Sequence, residues 1–160
     1  MQVESGKFYF IKDEFFELFK NYELMQNKEN ENQKPCYFCF KDTENPNIIW
    51  FVPISSKVEK YKRIYDNKIK NRKKVYNFVF GKVLGQERVF LIQNMFPTTI
   101  EYIKEQYIKQ NKEVTINDDL KKELNTKANR VLELVKAGNR NLVFPDIVEI
   151  EKILLKSKDN

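Results

Sequence analysis

Residues 50–62 read WFVPISSKVEKYK. Strand-forming side chains break at Pro53, and two hydroxyls, Ser55 and Ser56, and an ammonium, Lys57, follow at once, with Lys60 and Lys62 close behind. Hydroxyl beside ammonium suits a phosphate: both donate hydrogen bonds to its oxygens, and the cation offsets charge gathering on a crowded phosphorus. If the phosphate belongs to RNA, the neighbouring 2′-hydroxyl can attack it, giving a 2′,3′-cyclic phosphate and a free 5′-hydroxyl. The protein then supplies alignment, proton transfer and charge relief, and no metal need be invoked. A Lys can give its proton to the departing oxygen where burial lowers its pKa. The plain alternative is a strand ending in a Ser-Ser turn.

Other chemistries have less support. The chain has no histidine, which removes His-based nucleophile activation, His-His ribonuclease schemes and the commonest transition-metal ligand. Cys36 and Cys39 form a single C-x-x-C with no further Cys or His to complete a zinc site. They read as two small apolar strand residues on opposite faces. Asp146, Glu149, Glu151 and Lys152 resemble a nuclease carboxylate set, but Ile147, Ile150 and Leu154 mark them as the polar face of a helix. No cofactor or metal site is expected.

Charge locates the partner. The net charge is +6; residues 57–74 hold nine basic and two acidic residues, so that segment carries +7 and the remainder −1. A basic excess confined to one segment is the footprint of a polyanion contact. Val58, Tyr61, Tyr65 and Ile69 recur within it at near-helical spacing, which predicts a segment packed on the core with its charges outward. Tyr61, Tyr65 and Tyr76 offer rings for unpaired bases, and Lys62, Arg63, Lys68, Lys70, Arg72, Lys73 and Lys74 offer cations for the backbone.

The elements that position these groups follow from periodicity. A length of 160 residues suits a single domain over 1–160. KFYFI (7–11) predicts a strand, 12–22 a helix, 27–34 a loop, and 36–41 with 48–54 a hairpin. VYNFVFGKVLG and RVFLIQNMF predict a second hairpin turning near Gly85-Gln86. TTIEYIKEQYIKQ predicts a helix capped at Thr98 or Thr99, with Ile100, Ile103, Tyr107 and Ile108 on one side. Leu120, Leu124, Ala128, Val131 and Val135 predict another, capped by Asn117 or Asp118 and ended by Gly138; a last helix runs from about Pro145. The fold class is α+β, a compact twisted antiparallel sheet or partly closed barrel with packed helices. No run is apolar enough to span a membrane, and the amino terminus lacks the pattern of a signal peptide, so a cytoplasmic protein is expected.

KFYFI, KPCYFCF, IIWFVPISSK and FLIQNMFPT, in that order and followed by long helices, resemble the ToxN/AbiQ family of type III toxin-antitoxin endoribonucleases, closest to its CptN branch. The resemblance runs from about Lys7 to Leu155. It implies a MazF/PemK-like barrel-type sheet and metal-independent, sequence-selective cleavage of single-stranded cellular or phage RNA. It also implies an RNA antitoxin of repeated pseudoknots that joins the toxin in a closed ring, and a role in abortive infection, with no protein partner required. By this resemblance Ser56 is the active-site serine following a second hydroxyl residue, Ser55, and Lys34 is a basic residue of the same pocket. Many relatives place Pro and then Lys after the hydroxyl pair, whereas here Lys57 follows directly; Lys57 is therefore the expected catalytic lysine and Lys60 its reserve. Two alternatives stand beside this reading: a non-catalytic RNA-binding module, and a MazF-like ribonuclease restrained by a protein.

Overall fold

The computed structural model describes residues 2–26, 28–29 and 32–158. The aromatic run after Lys7 extends as β1 (Phe8–Ile11), and one short helix follows, α1 (Asp13–Leu18), with Asp13 and Glu14 complementing the dipole of its first turn. The helix expected to reach Tyr22 stops early. Phe15 enters the core from the helix, and Phe19 and Tyr22 follow from a tight turn after it, with the Tyr22 N–H on the Phe19 carbonyl at 3.1 Å. Of the loop expected over 27–34, residues 27, 30 and 31 lie outside the described residues, while Lys28–Glu29 (β2) and Asn32–Gln33 (β3) pair as a short ladder.

The two expected hairpins form. β4 (Cys36–Lys41) pairs antiparallel with β5 (Ile49–Ser55), and β6 (Val79–Val83) with β7 (Gln86–Phe90). The second turns on Leu84 and Gly85, both at positive φ, the conformation that matches strand twist in a two-residue connection. Between the hairpins lies α2 (Val58–Lys70), which carries most of the basic segment.

With β8 (Phe96–Thr98) and β9 (Ile103–Gln106), these strands make a seven-stranded antiparallel sheet in the order β6-β7-β5-β4-β1-β9, with β8 attached to β5. β5 is where the sheet divides: Ile49–Phe51 pair with β8, and Ile54 and Ser55 pair with β7. Pro53 stands between the two pairings. Its carbonyl accepts the Leu91 N–H at 2.9 Å, and an imino acid is tolerated at this gap because no ladder needs its N–H.

The sheet curls enough for Phe90 on β7 to meet Phe8 on β1, at 6.3 Å between ring centroids. It does not close. β6 and β9 remain separate edges, so of the two expected forms the structure shows a twisted antiparallel sheet and not a closed barrel. The concave face is filled by helices: α3 (Asp118–Lys136) buries Leu120, Leu124, Ala128, Val131 and Val135, and α4 (Ile147–Lys158) buries Ile147, Ile150 and Leu154. Leu120 lies over β6 so closely that a Cβ on Gly81 would come within 2.2 Å of it. The predicted cap is present, with the Asn117 side chain accepting the Leu120 N–H at 2.8 Å.

The helix expected from Thr98 or Thr99 is absent. A single 3₁₀ turn, Ile100–Tyr102, leads into β9, and a small hairpin follows, β10 (Ile108–Lys109) with β11 (Lys112–Glu113). Ile100 and Ile108, two members of the supposed apolar stripe, are exposed. β1 offered a free edge, and pairing with it overrode the local 3.6-residue pattern. The hairpin turns on Gln110-Asn111, both at positive φ, a polar dipeptide that was the overlooked turn signal.

Candidate active site

The two serines part company at the end of β5. Ser55 lies opposite Val89 and is buried, on the face covered by the apolar cluster of Tyr61, Phe78, Val89 and Leu91. Its Oγ accepts the Lys57 N–H at 3.1 Å, and the Ser56 carbonyl accepts the Val58 N–H at 2.9 Å. Lys57, at φ −80° and ψ 56°, is the centre of that inverse γ-turn. Strand therefore becomes helix within three residues, and Ser56, just past the end of β5, is exposed.

Ser56 opens onto a groove of about 500 Å³ lined by Lys34, Pro35, Ile54, Ser55, Ser56, Val83, Leu84, Gln86, Arg88, Tyr107 and Lys109. Register explains the convergence. Ser55 pairs with Val89 at the end of the β5–β7 ladder, and Ser56 and Arg88 are the residues next to that pair. Cys36 pairs with Pro53, so Lys34 and Pro35, which lead into β4, lie near the end of β5 and line the same groove. A hydroxyl is thus flanked by a guanidinium from β7 and an ammonium from the residues before β4. Arg88 is half-buried, and its guanidinium donates to the Gln86 side chain and the Glu87 carbonyl. Among the described residues the lining contains no carboxylate, so those residues present donors and positive charge to whatever enters the groove.

Of the residues singled out from the sequence, Ser55, Ser56 and Lys34 meet in this groove. Lys57 lies outside the lining, exposed at the start of α2, and Lys60 turns its Nζ over the Tyr61 ring at 5.4 Å. Arg88, Gln86, Tyr107 and Lys109 were missed. Nothing local marks Arg88, because the Leu-Gly turn fixes the β6–β7 register but not which strand β7 joins; Tyr107 and Lys109 were hidden within the supposed helix.

The basic helix is amphipathic, as expected, but its residues divide. Tyr61 is 9% exposed and packs against Phe78 at 5.2 Å between centroids, so its ring fastens α2 to the sheet and is not a platform for bases. Tyr65 is 39% exposed, and Tyr76 is half-buried. Lys62 pairs with Glu87 on β7 at 3.4 Å, and Lys68 donates to Asn77 at 3.3 Å. Arg63, Lys70, Arg72, Lys73 and Lys74 face solvent. The helix ends in a Schellman turn, with the Arg72 N–H on the Ile69 carbonyl and the Lys73 N–H on that of Lys68, and Arg72 at φ 57°.

The remaining candidates are structural. Both cysteines are buried, which pushes each thiol up to about 12; both faces of β4 are covered, Cys36 lying beside Phe16 and Phe96 and Cys39 toward Asn125 of α3. Among the described residues no group of three or more His, Cys, Asp or Glu side chains is placed to hold a metal ion. Glu151 is not on a solvated face: it lies beneath Lys136, 3.6 Å from its Nζ, which also pairs with buried Asp42 at 3.5 Å. Burial and the nearby Asp42 raise the Glu151 carboxyl above its usual range, against the pull of Lys136.

No family model matches the sequence, and no curated protein matches it. Solved structures do. AbiQ, a lactococcal anti-phage endoribonuclease of the type III toxin-antitoxin class, superposes with a TM-score of 0.70 at 14% identity, covering 98% of this chain and all of that one. A bacterial type III toxin, from a structure of toxin inhibition by a non-coding RNA pseudoknot, superposes with a TM-score of 0.67 at 16% identity and the same coverage. The chain therefore has the fold of type III toxins along almost its whole length. That class includes the family its sequence landmarks resemble, ToxN/AbiQ.

Proposed function

We propose that this protein is the toxin of a type III toxin-antitoxin system, an endoribonuclease that cuts single-stranded RNA without a metal. The observation that carries this reading is the meeting of Ser56, Lys34 and Arg88 in one groove beside a basic helix. The 2′-oxygen attacks the adjacent phosphorus, the bond from phosphorus to the 5′-oxygen breaks, and the products are a 2′,3′-cyclic phosphate and a 5′-hydroxyl. The 2′-hydroxyl gives its proton to solvent water, and the departing 5′-oxygen gains one from Lys34, which solvent reprotonates. Ser56 and Arg88 hydrogen-bond the non-bridging oxygens as negative charge gathers there. Lys34 donates to the leaving oxygen, Lys57 neutralises from the helix side, and the exposed cations of α2 grip the flanking backbone. A pseudoknotted RNA antitoxin occupies the same groove, and the RNA and protein close into a ring.

The reading is tested by incubating the purified protein with single-stranded RNA in EDTA. Cleavage leaving cyclic phosphate ends is expected, and Ser56→Ala should abolish it and be tolerated in cells without an antitoxin. Binding without cleavage would reassign the chain as an RNA-binding module, and cleavage restored only by divalent metal would overturn the mechanism. Tandem repeats immediately upstream of the gene are expected; a small acidic protein's reading frame there would replace the RNA inhibitor with a protein.

A further inference from the structure

We propose that the β10–β11 hairpin is a phosphate-binding arm in which Lys109 and Lys112 together hold one RNA phosphate next to the phosphate at Ser56. This rests on reading the groove as an RNA site. Lys109 lines the groove, and Lys112 stands directly opposite it in the ladder, so both ammonium groups lie on the same face of the hairpin. Like charges directly opposite one another destabilise a strand pair, and an isolated two-stranded hairpin is marginal to begin with. An anion between them turns that repulsion into two attractions.

The rest of the arm is built to hold this face in place. On the other face, Glu113 pairs with Lys7 and accepts from the Gln106 side chain at 2.8 Å. Lys7 is held in turn by Glu4 at 2.7 Å. The base of the arm is pinned to β1 on both sides, by the Tyr107 N–H on the Phe8 carbonyl at 2.8 Å and by the bridge between Lys7 and Thr115. The Tyr107 ring packs edge-on to Phe10 at 5.6 Å. The acidic residue of the hairpin is thus consumed by its anchor, while Lys109 lines the groove with Lys112 as its cross-strand neighbour.

The test uses the full chain carrying Ser56→Ala, so that RNA is not consumed, and a single-stranded oligonucleotide that the wild type cuts. Lys109→Gln with Lys112→Gln should reduce the slope of log affinity against log salt by about 0.7, the contribution of one single-strand phosphate. A series of oligonucleotides, each with one phosphate replaced by a neutral methylphosphonate, locates the contact. One substitution beside the scissile bond should weaken binding to the Ser56→Ala protein and have no effect on the double-glutamine variant. Lys109→Arg with Lys112→Arg should restore the slope. An unchanged slope and an identical methylphosphonate profile would overturn the arm even if the wild type cleaves RNA. Failure of the wild type to cleave any RNA would overturn the ribonuclease and leave the binding data to judge the arm.

Discussion

Two cationic regions flank Ser56, and they are built in opposite ways. α2 draws its charges from one continuous segment on a helix face, where their spacing follows from the 3.6-residue period. The groove collects Lys34, Arg88 and Lys109 from three distant segments, each delivered by strand register or a hairpin turn. The difference separates two tasks. A helix face with mobile side chains suits gripping a backbone of any sequence, whereas groups fixed by ladders suit an atom that must be met at one place.

Mutagenesis can break this division. Ser56→Ala should lower the cleavage rate by at least about 10²-fold, as loss of an oriented donor to a developing charge does, measured by single-turnover cleavage; Ser55→Ala should spare the chemistry and lower stability by about 1 kcal/mol through loss of the hydrogen bond to Lys57. Arg88→Ala should also cost about 10²-fold in kcat with little change in KM. Lys57→Ala decides between the two cations: a larger kcat loss than that of Arg88→Ala would move the catalytic charge to the helix side.

Within α2 the comparison becomes one of stability against binding. Tyr61→Ala should destabilise the fold by about 3 kcal/mol, as large aromatic truncations do in cores, read as a shift in the denaturation midpoint. Tyr65→Ala should stay within about 0.5 kcal/mol of wild type and weaken RNA binding instead. Arg63→Gln and Lys70→Gln should leave kcat intact, raise KM and each lower the salt slope by about 0.7; a loss of kcat in either would merge the two regions.

The smallest effect lies at the far end of the molecule, where one lysine serves two carboxylates. The Glu151 carboxyl is raised in the fold above its ordinary value of 4.5. Its contribution to stability is therefore full below that value and is lost as pH rises through the folded pKa. Glu151→Gln should raise the melting temperature at neutral pH, with the gain fading toward pH 4.5. Asp42 has the opposite sign. Burial pushes it up, but the Trp50 indole, the Asn45 and Glu44 N–H groups and Lys136 outweigh burial and bring it below 3.8. Its stabilisation is present above that value and is lost as pH falls through the folded pKa, so Asp42→Asn should lose most at neutral pH.

The sequence by itself determined the elements whose signals are local: both hairpins around their turn residues, the Asn117 cap and the buried stripes of α3 and α4, the amphipathic basic helix, and the hydroxyl pair at the end of β5. Tertiary structure alone decided matters of partnership. The free edge of β1 turned residues 103–106 from a presumed helix into a strand, because a ladder satisfies the backbone as well as a helix does and here also completed the sheet. Pairing of β7 with β5 brought Arg88 to Ser56, and closure of the sheet was forgone in favour of helices on its concave face. Which strand lies beside which is a long-range choice made by the whole core, and the site reads that choice directly: of two adjacent hydroxyls lining the groove, Ser55 is buried and holds the turn, and Ser56 is exposed.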